Sequence, residues 1–489
     1  MMRSHFHQKI QPLLVLAVVC LTVACSSTRH ADIERASEYN YSEYELEEGH
    51  PEVRMSAMGY LNEVGEGVIN IAGDIVRRSL ILREKDGENV ADIEIVITIV
   101  ASGGDSYSDS YTTTRTVGSG HDGFNTSSDL LQYEKNMKVP PGHYTVFFTV
   151  TDKASGKQTV REVKTFIPEP GDDKINLTSV QLQGKNEDRA EKGYMPVTTY
   201  DVSMNKDSLR FVIQVTNNES KNSLLVRSRL IRFEADTTAA RPVNHPNYST
   251  SSLPYKGIDY NSQEELEQTE RRLDQPESVM IEFPHKRPER GSYRFEVTVR
   301  SNGEGHGDGE EEELYKARDF SVKGDNFPHL KSPRELAEPL IYLMGRDEHQ
   351  ELMAIEDPDS LKEAVDRFWL SNIGSINEAK NVISLFYERV EEANKKFTNF
   401  KEGWKTDRGM VYILFGPPQY VETRLNSEHW RSSRHSRDSR YNFLFERPRS
   451  RSDYYPFDNY LLQRYQNYFN YHYQQVQLWK SGRILYANL

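Results

Sequence analysis

The chain has 489 residues, with 61 Lys and Arg against 74 Asp and Glu, a formal net charge of −13 and two cysteines. The cysteine count excludes a disulfide-stapled scaffold, the single long apolar stretch excludes a polytopic membrane protein, and the acidic balance argues against a general nucleic-acid binder. Apolar residues make up 36%, which is low, yet 11% aromatics and dense Val/Ile patterns can fill several cores, and the length predicts about three domains.

Residues 1–24 open with Arg3 and Lys9 and continue through Leu13-Leu14-Val15-Leu16-Ala17-Val18-Val19-Cys20-Leu21. This run is too short for a membrane span of about twenty residues, and it has the form of a secretory signal's apolar region. It ends Thr22-Val23-Ala24-Cys25-Ser26. A small residue before a cysteine at this place resembles the bacterial lipobox. The resemblance implies cleavage before Cys25, diacylglycerol on its sulfur and a further acyl chain such as palmitate on the new amine. Thr22 stands where the lipobox usually has Leu. Cys25 would be the only cysteine of the mature chain, and a thioether removes the hazard of a lone thiol in an oxidising compartment. Several acyl chains hold far more firmly than one. Ser26, rather than Asp, after the cysteine implies sorting to the outer membrane in Gram-negative lipoproteins.

Residues 25–53 are rich in Tyr, Glu and Ser with little apolar periodicity, and read as a lipidated cysteine followed by a flexible tether. Between 54 and 168, Ile93, Ile95, Ile97 and Ile99 alternate with Glu94, Val96, Thr98 and Val100, the period of a strand with one buried face. Further strands are expected at 67–72, 78–83, 107–117, 130–138, 143–151 and 158–166, which together make a β-sandwich. Pro140-Pro141-Gly142-His143-Tyr144 resembles the corner of immunoglobulin-like domains. Residues 172–324 repeat the plan, since Gly291-Ser292-Tyr293 enters an alternating strand as Gly142-His143-Tyr144 does. Its strands are expected near 175–182, 208–216, 223–234, 277–284 and 314–322. Ser262-Gln263-Glu264-Glu265 predicts the start of a short polar helix in an insertion over 236–275.

The third part, 327–489, holds all four tryptophans and mostly helical signals. Ser332-Pro333-Arg334-Glu335, Ser360…Glu363 and Ser375…Glu378 read as helix starts. Ala379, Val382, Phe386, Val390, Ala393 and Phe397 form one stripe of a helix. A further helix is expected over 458–481, with Leu462, Tyr465, Phe469, His472, Val476 and Trp479 as its stripe and Gly482 as its stop. Met410-Val411-Tyr412-Ile413-Leu414-Phe415, apolar without alternation, predicts a strand buried on both faces. An α/β or α+β domain follows.

That stretch is preceded by Gly403-Trp404-Lys405-Thr406-Asp407-Arg408-Gly409 and followed by Gly416-Pro417-Pro418. The combination resembles the GWxTD domain family of bacterial exported proteins, and Phe368-Trp369 upstream fits the same pattern. The resemblance covers about 360–489 and implies a C-terminal domain behind β-sandwich modules; it supplies no activity. Read from the residues, Thr406 and Asp407 accept backbone N–H bonds in a tight turn, Gly409 takes a positive φ, Trp404 covers the core edge, and Gly416-Pro417-Pro418 turns the chain out of a sheet. The alternative is catalytic, with Asp407 as general acid or base beside Arg408 and Glu422 as the nearest second carboxylate.

No Gly-x-Ser-x-Gly elbow, Walker loop or His-Glu-x-x-His helix is present. His429 and His435 lack a zinc-ligand spacing, and the Gly/Glu run at 303–313 lacks that of a calcium loop, so neither metal nor cofactor is expected. Segment 424–452 is strongly basic: Arg424, Arg431, Arg434, Arg437, Arg440, Arg447, Arg449 and Arg451 stand against Glu428, Asp438 and Glu446. Behind an export signal it fits an anionic glycolipid or an acidic protein, and otherwise a solvated insertion. Seven tyrosines between Tyr454 and Tyr473 divide between core, interface and a glycan platform. The sequence reading is thus two immunoglobulin-like sandwiches and a GWxTD-type domain on an outer-membrane lipoprotein. The expected role is a non-catalytic adaptor with an envelope protein partner and no nucleic acid. An envelope hydrolase using Asp407 and a glycan-binding surface lipoprotein are the alternatives.

Overall fold

The computed structural model describes residues 32–34, 49–85, 88–102, 106–117, 130–170, 174–185, 193–202, 206–217, 223–274, 277–302, 313–431, 442–448, 459–466 and 468–487. Cys25 and most of the expected tether fall outside these residues; within the tether's span, Asp32–Glu34 is a short strand.

Alternation in the sequence becomes the first sandwich. Val53–Leu61, Gly67–Val76 and Leu130–Lys138 form one antiparallel sheet. Arg83–Lys85, Glu88–Ala101, Gly142–Asp152 and Gln158–Ile167 form the other, and Ser106–Val117 also pairs with Glu88–Ala101. Ile93, Ile95, Ile97 and Ile99 all point inward and share a core with Ile69, Ile71, Val146 and Phe148. The strand expected at 78–83 is instead a 3-10 turn, Arg77–Ser79, before the short strand Arg83–Lys85. The buried Ser79 hydroxyl causes it, donating to the Val76 carbonyl and accepting from the Glu52 N–H.

The second sandwich places Ile175–Leu177, Gln181–Lys185, Met195–Pro196, Ser208–Asn217 and Glu277–Lys286 in one sheet. The other contains Ile258–Leu273, Ser223–Ala235, Gly291–Asn302 and Glu313–Val322 in that order. The two sandwiches share the corner that the paired Gly-x-Tyr segments announce. Tyr144 donates its hydroxyl to the Pro140 carbonyl at 2.5 Å, and Tyr293 does the same to Glu289 at 2.7 Å. Buried polar contacts join the sandwiches: the Gln214 amide both accepts from Leu61 N–H and donates to Leu61 O, each at 2.8 Å, and Thr198 donates to Asp74.

The polar helix expected from Ser262 is part of a strand, Ile258–Leu273, paired with Ser223–Ala235. Its Glu residues meet arginines across the ladder, Glu270 with Arg227 and Glu265 with Arg229, and these cross-strand pairs override the local helix signal.

The last third is α+β. Helices Pro333–Ala337, Arg346–Met353, Pro358–Asn372, Ile376–Phe397, Asp407–Phe415 and Tyr468–Lys480 pack with a four-stranded antiparallel sheet, Tyr420–Arg424, Ser427–Arg431, Asn442–Glu446 and Leu461–Leu462. The Ser332 capping box and the Ser375 cap are present, and all six residues of the stripe from Ala379 to Phe397 are buried. The helix expected from Ser360 starts earlier, because Asp357 caps it and Ser360 lies in its first turn. Met410–Phe415 is helical, a correction with a simple cause. Every one of these side chains is buried, so the helix shows no amphipathic period and reads like a buried strand. The final helix covers only Tyr468–Lys480; Tyr465 precedes it and is exposed, as is Phe469, and the buried set is Tyr468, Gln475 and Trp479. Gly482 ends it with φ +75. Among the described residues no helix is long and apolar enough to cross a membrane.

Candidate functional site

The motif Gly403–Gly409 is a joint between three elements, the long helix Ile376–Phe397, its own helix Asp407–Phe415 and the second sandwich. Gly403 to Asp407 and Gly409 are all buried, and Arg408 is half-buried. Both glycines serve close approach. A Cβ on Gly403 would stand 1.9 Å from the Ala393 carbonyl oxygen, and one on Gly409 would stand 1.9 Å from that of Gly403. Gly409 is helical and needs no positive φ, contrary to the expectation from its place in the motif. The Gly403 N–H donates to Thr398 Oγ1 and the Trp404 N–H to Asn394 Oδ1, while the Trp404 carbonyl accepts from Tyr342.

Thr406 is the N-cap, accepting the Gly409 N–H at 3.0 Å and donating to the Gly403 carbonyl at 2.8 Å. Thr406→Ala is expected to lower stability by about 1 kcal/mol, read as a shift in the denaturation midpoint with unchanged m-value. At the other end Gly416, with φ +85, closes the helix, so Gly416-Pro417-Pro418 terminates a helix rather than leaving a sheet. Arg389 donates to the Ile413 carbonyl there, a cation suited to a helix C-terminus. Gln475 and Trp479 of the final helix both donate to the Leu414 carbonyl, at 2.6 and 3.0 Å.

Asp407 binds the Arg464 guanidinium in a fork, Oδ1 to Nη2 at 2.6 Å and Oδ2 to Nη1 at 2.9 Å, and also accepts the Leu462 N–H at 2.7 Å. The two side chains are 2% and 0% exposed. Arg464 reaches onward to the Arg241 and Pro242 carbonyls, and its own N–H bonds to Asn247, so the pair straps segment 236–257 of the second sandwich to the motif helix. Glu422 lies on the hairpin, bonded to Arg424, and is not brought to Asp407. Arg408 pairs with Glu428 at 3.2 Å and lies over the Tyr460 ring.

Beside the joint is a cleft of about 410 Å³ lined by Arg232, Gln263, Arg290, Lys323, Lys401 and Glu402 among others. Its charges are tied across the seam. Lys401 meets Asp236 at 2.5 Å, Lys323 donates to the Asn399 carbonyl at 2.6 Å, and Arg290 pairs with Glu402. Burial raises the Glu402 pKa, but Lys405, Arg290 and Lys323 together outweigh it and hold the carboxyl at about 2. A depressed folded-state pKa stabilises above the ordinary value of 4.5 and loses that contribution as pH falls toward 2, roughly 3 kcal/mol in all. Glu402→Gln is therefore expected to flatten the acid limb of the stability curve between those pH values in a denaturation series.

Sequence reading missed Arg464, Asp236 and the lysines of the seam. Lys401 and Glu402 adjoin the motif, whereas nothing local marks Arg464, 57 residues beyond Asp407. Of the basic segment, Arg431 is exposed over Tyr420 and Arg447 lies over Tyr460. Arg434, Arg437, Arg440, Arg449 and Arg451 lie outside the described residues, as do His435 and most of the Gly/Glu run. Among the described residues no three His, Cys, Asp or Glu side chains cluster as metal ligands.

A short helix capped at both ends, packed glycine-to-backbone and strapped to a preceding β-sandwich, defines a β-rich multidomain protein with a helical C-terminal domain. Residues 309–481 match the GWxTD domain family, so this part of the chain is a GWxTD domain. No curated protein matches it. Among solved structures it is similar to red sea bream transglutaminase, at 9% identity over 55% of this chain and 31% of that one, with a TM-score of 0.16. Escherichia coli alpha-2-macroglobulin activated by porcine elastase is 9% identical over 74% and 36%, with a TM-score of 0.18. A DUF3823 family protein from Bacteroides uniformis is 12% identical over 55% of this chain and 100% of its own, with a TM-score of 0.16. The chain spans about a third of the length of the first two. At these scores the likenesses carry no functional argument.

Proposed function

We propose that the protein is a non-catalytic cell-envelope lipoprotein, fastened to the outer membrane through acylated Cys25, which acts as an adaptor presenting its GWxTD domain to an envelope protein. The observation that carries this reading is the state of Asp407. Its two oxygens are held by a buried guanidinium and a backbone N–H, which is the chemistry of a structural clamp and not of an acid or base open to substrate. The exposed aromatics Tyr465, Phe469 and Tyr473 supply a contact face of the kind enriched at protein interfaces.

Crosslinking in intact envelopes followed by affinity recovery tests the role. One recurrent envelope protein is expected with the wild-type chain, with its yield cut at least tenfold in a Phe469→Ala/Tyr473→Ala variant. Equal recovery from the variant, or no recurrent partner at all, overturns the adaptor reading. Metabolic labelling with a lipid precursor tests the anchor separately: label is expected on the wild type and absent from Cys25→Ala.

A further inference from the structure

The strand Ile258–Leu273 is the end member of its sheet, and among the described residues its one ladder partner is Ser223–Ala235. From Asn261 to Arg272 every residue is exposed, so the strand offers solvent an open row of backbone groups as well as both faces. Such an edge is a template for pairing with another chain, and charged side chains usually guard it by repulsion. Here the outer charges are sorted. Glu264 and Glu265 precede Gln268, and Arg271 and Arg272 follow it at matching distances, while the inner Glu267 and Glu270 are already paired within the chain, with His285 and Arg227. Among the described residues Glu264 and Arg271 make no ion pair within the chain, and a register shift between Leu230 and Ile231 leaves Leu266 bulged from the ladder and 42% exposed.

Antiparallel pairing of this edge with itself about a two-fold axis near Gln268 sets the acidic end of one copy against the basic end of the other, twice over. Both interactions are attractive, the open backbone groups find partners, and Leu266 is covered. A parallel arrangement would set like charges side by side. We propose that a second copy of this chain docks here, joining the two outer sheets of the second sandwiches edge to edge.

Sedimentation of the full chain at micromolar concentration tests this. The wild type is expected at about twice the mass of its own monomer, reverting toward monomer as salt is raised. Glu264→Lys/Glu265→Lys and Arg271→Glu/Arg272→Glu each place like charges opposite one another and are expected to sediment as monomers. Mixed in equal amounts, the two variants become mutually complementary and are expected to re-form a dimer, which also shows that each is folded. A monomeric wild type, variants that dimerise as the wild type does, or a mixture that stays monomeric would each overturn the proposal.

Discussion

Asp407→Ala is expected to destabilise the protein by about 3–5 kcal/mol, the cost of leaving one member of a buried pair without its counter-charge. Arg464 is fully buried, its remaining bonds run to neutral carbonyls, and the cavity left by the carboxylate opens beside it. Asp407→Asn keeps the shape and one acceptor but loses the charge and half of the fork, so it is expected to fall between the wild type and alanine. Guanidinium denaturation followed by tryptophan fluorescence measures this, with Trp404 and Trp430 buried in the same core. If Asp407 were instead a catalytic acid or base exposed to substrate, alanine would leave the midpoint nearly unchanged. Replacing both members, as Asp407→Leu/Arg464→Met, is expected to recover part of the loss, because no lone charge then remains buried.

Gly409→Ala carries the second large effect. Its Cβ would meet the Gly403 carbonyl oxygen at 1.9 Å, and that oxygen belongs to backbone fixed by the Thr406 hydroxyl. Neither side can yield as a flexible side chain would, so the motif helix must move off Gly403 or the loop must move off the long helix. The expected loss is at least about 3 kcal/mol, the upper end of overpacking penalties, although alanine is the better helix former. Gly156→Ala serves as the comparison, since nothing lies within 4 Å of its Cβ position. It has φ +72, so its loss reports backbone strain alone, and Gly409→Ala should exceed it severalfold.

The sequence made the two sandwiches readable because their strands bury one face. Ile93 to Ile99 alternate in the chain and are buried in the fold, and the repeated Gly-x-Tyr segment marks the same hydroxyl-to-carbonyl bond twice. Periodicity fails where burial is complete or absent. Met410–Phe415 is surrounded on all sides and shows no period, so a helix looks like a strand. Asn261–Arg272 is exposed residue after residue, and its Glu-rich composition reads as helix although the ladder along one edge holds it extended. The Ser375 cap was legible because capping is local, and Thr406 was read as accepting a backbone N–H, although in a turn before a strand and not as the cap of a helix. The partner of Asp407 was not, because Arg464 arrives through tertiary folding from a separate segment.

The strap formed by residues 236–257 has a consequence for where this protein can be cut. Ala240 and Val243, from the second sandwich's share of the sequence, are buried within the hydrophobic core of the GWxTD domain, and Arg464 closes on carbonyls from the same segment. The family match begins at residue 309, just ahead of the sandwich's last strand, Glu313–Val322. A fragment made at that boundary would inherit an orphaned strand and lack two residues of its own interior. The unit that evolution copies and the unit that melts are therefore different lengths of chain, and calorimetry should record the second sandwich and the helices coming apart in a single endotherm.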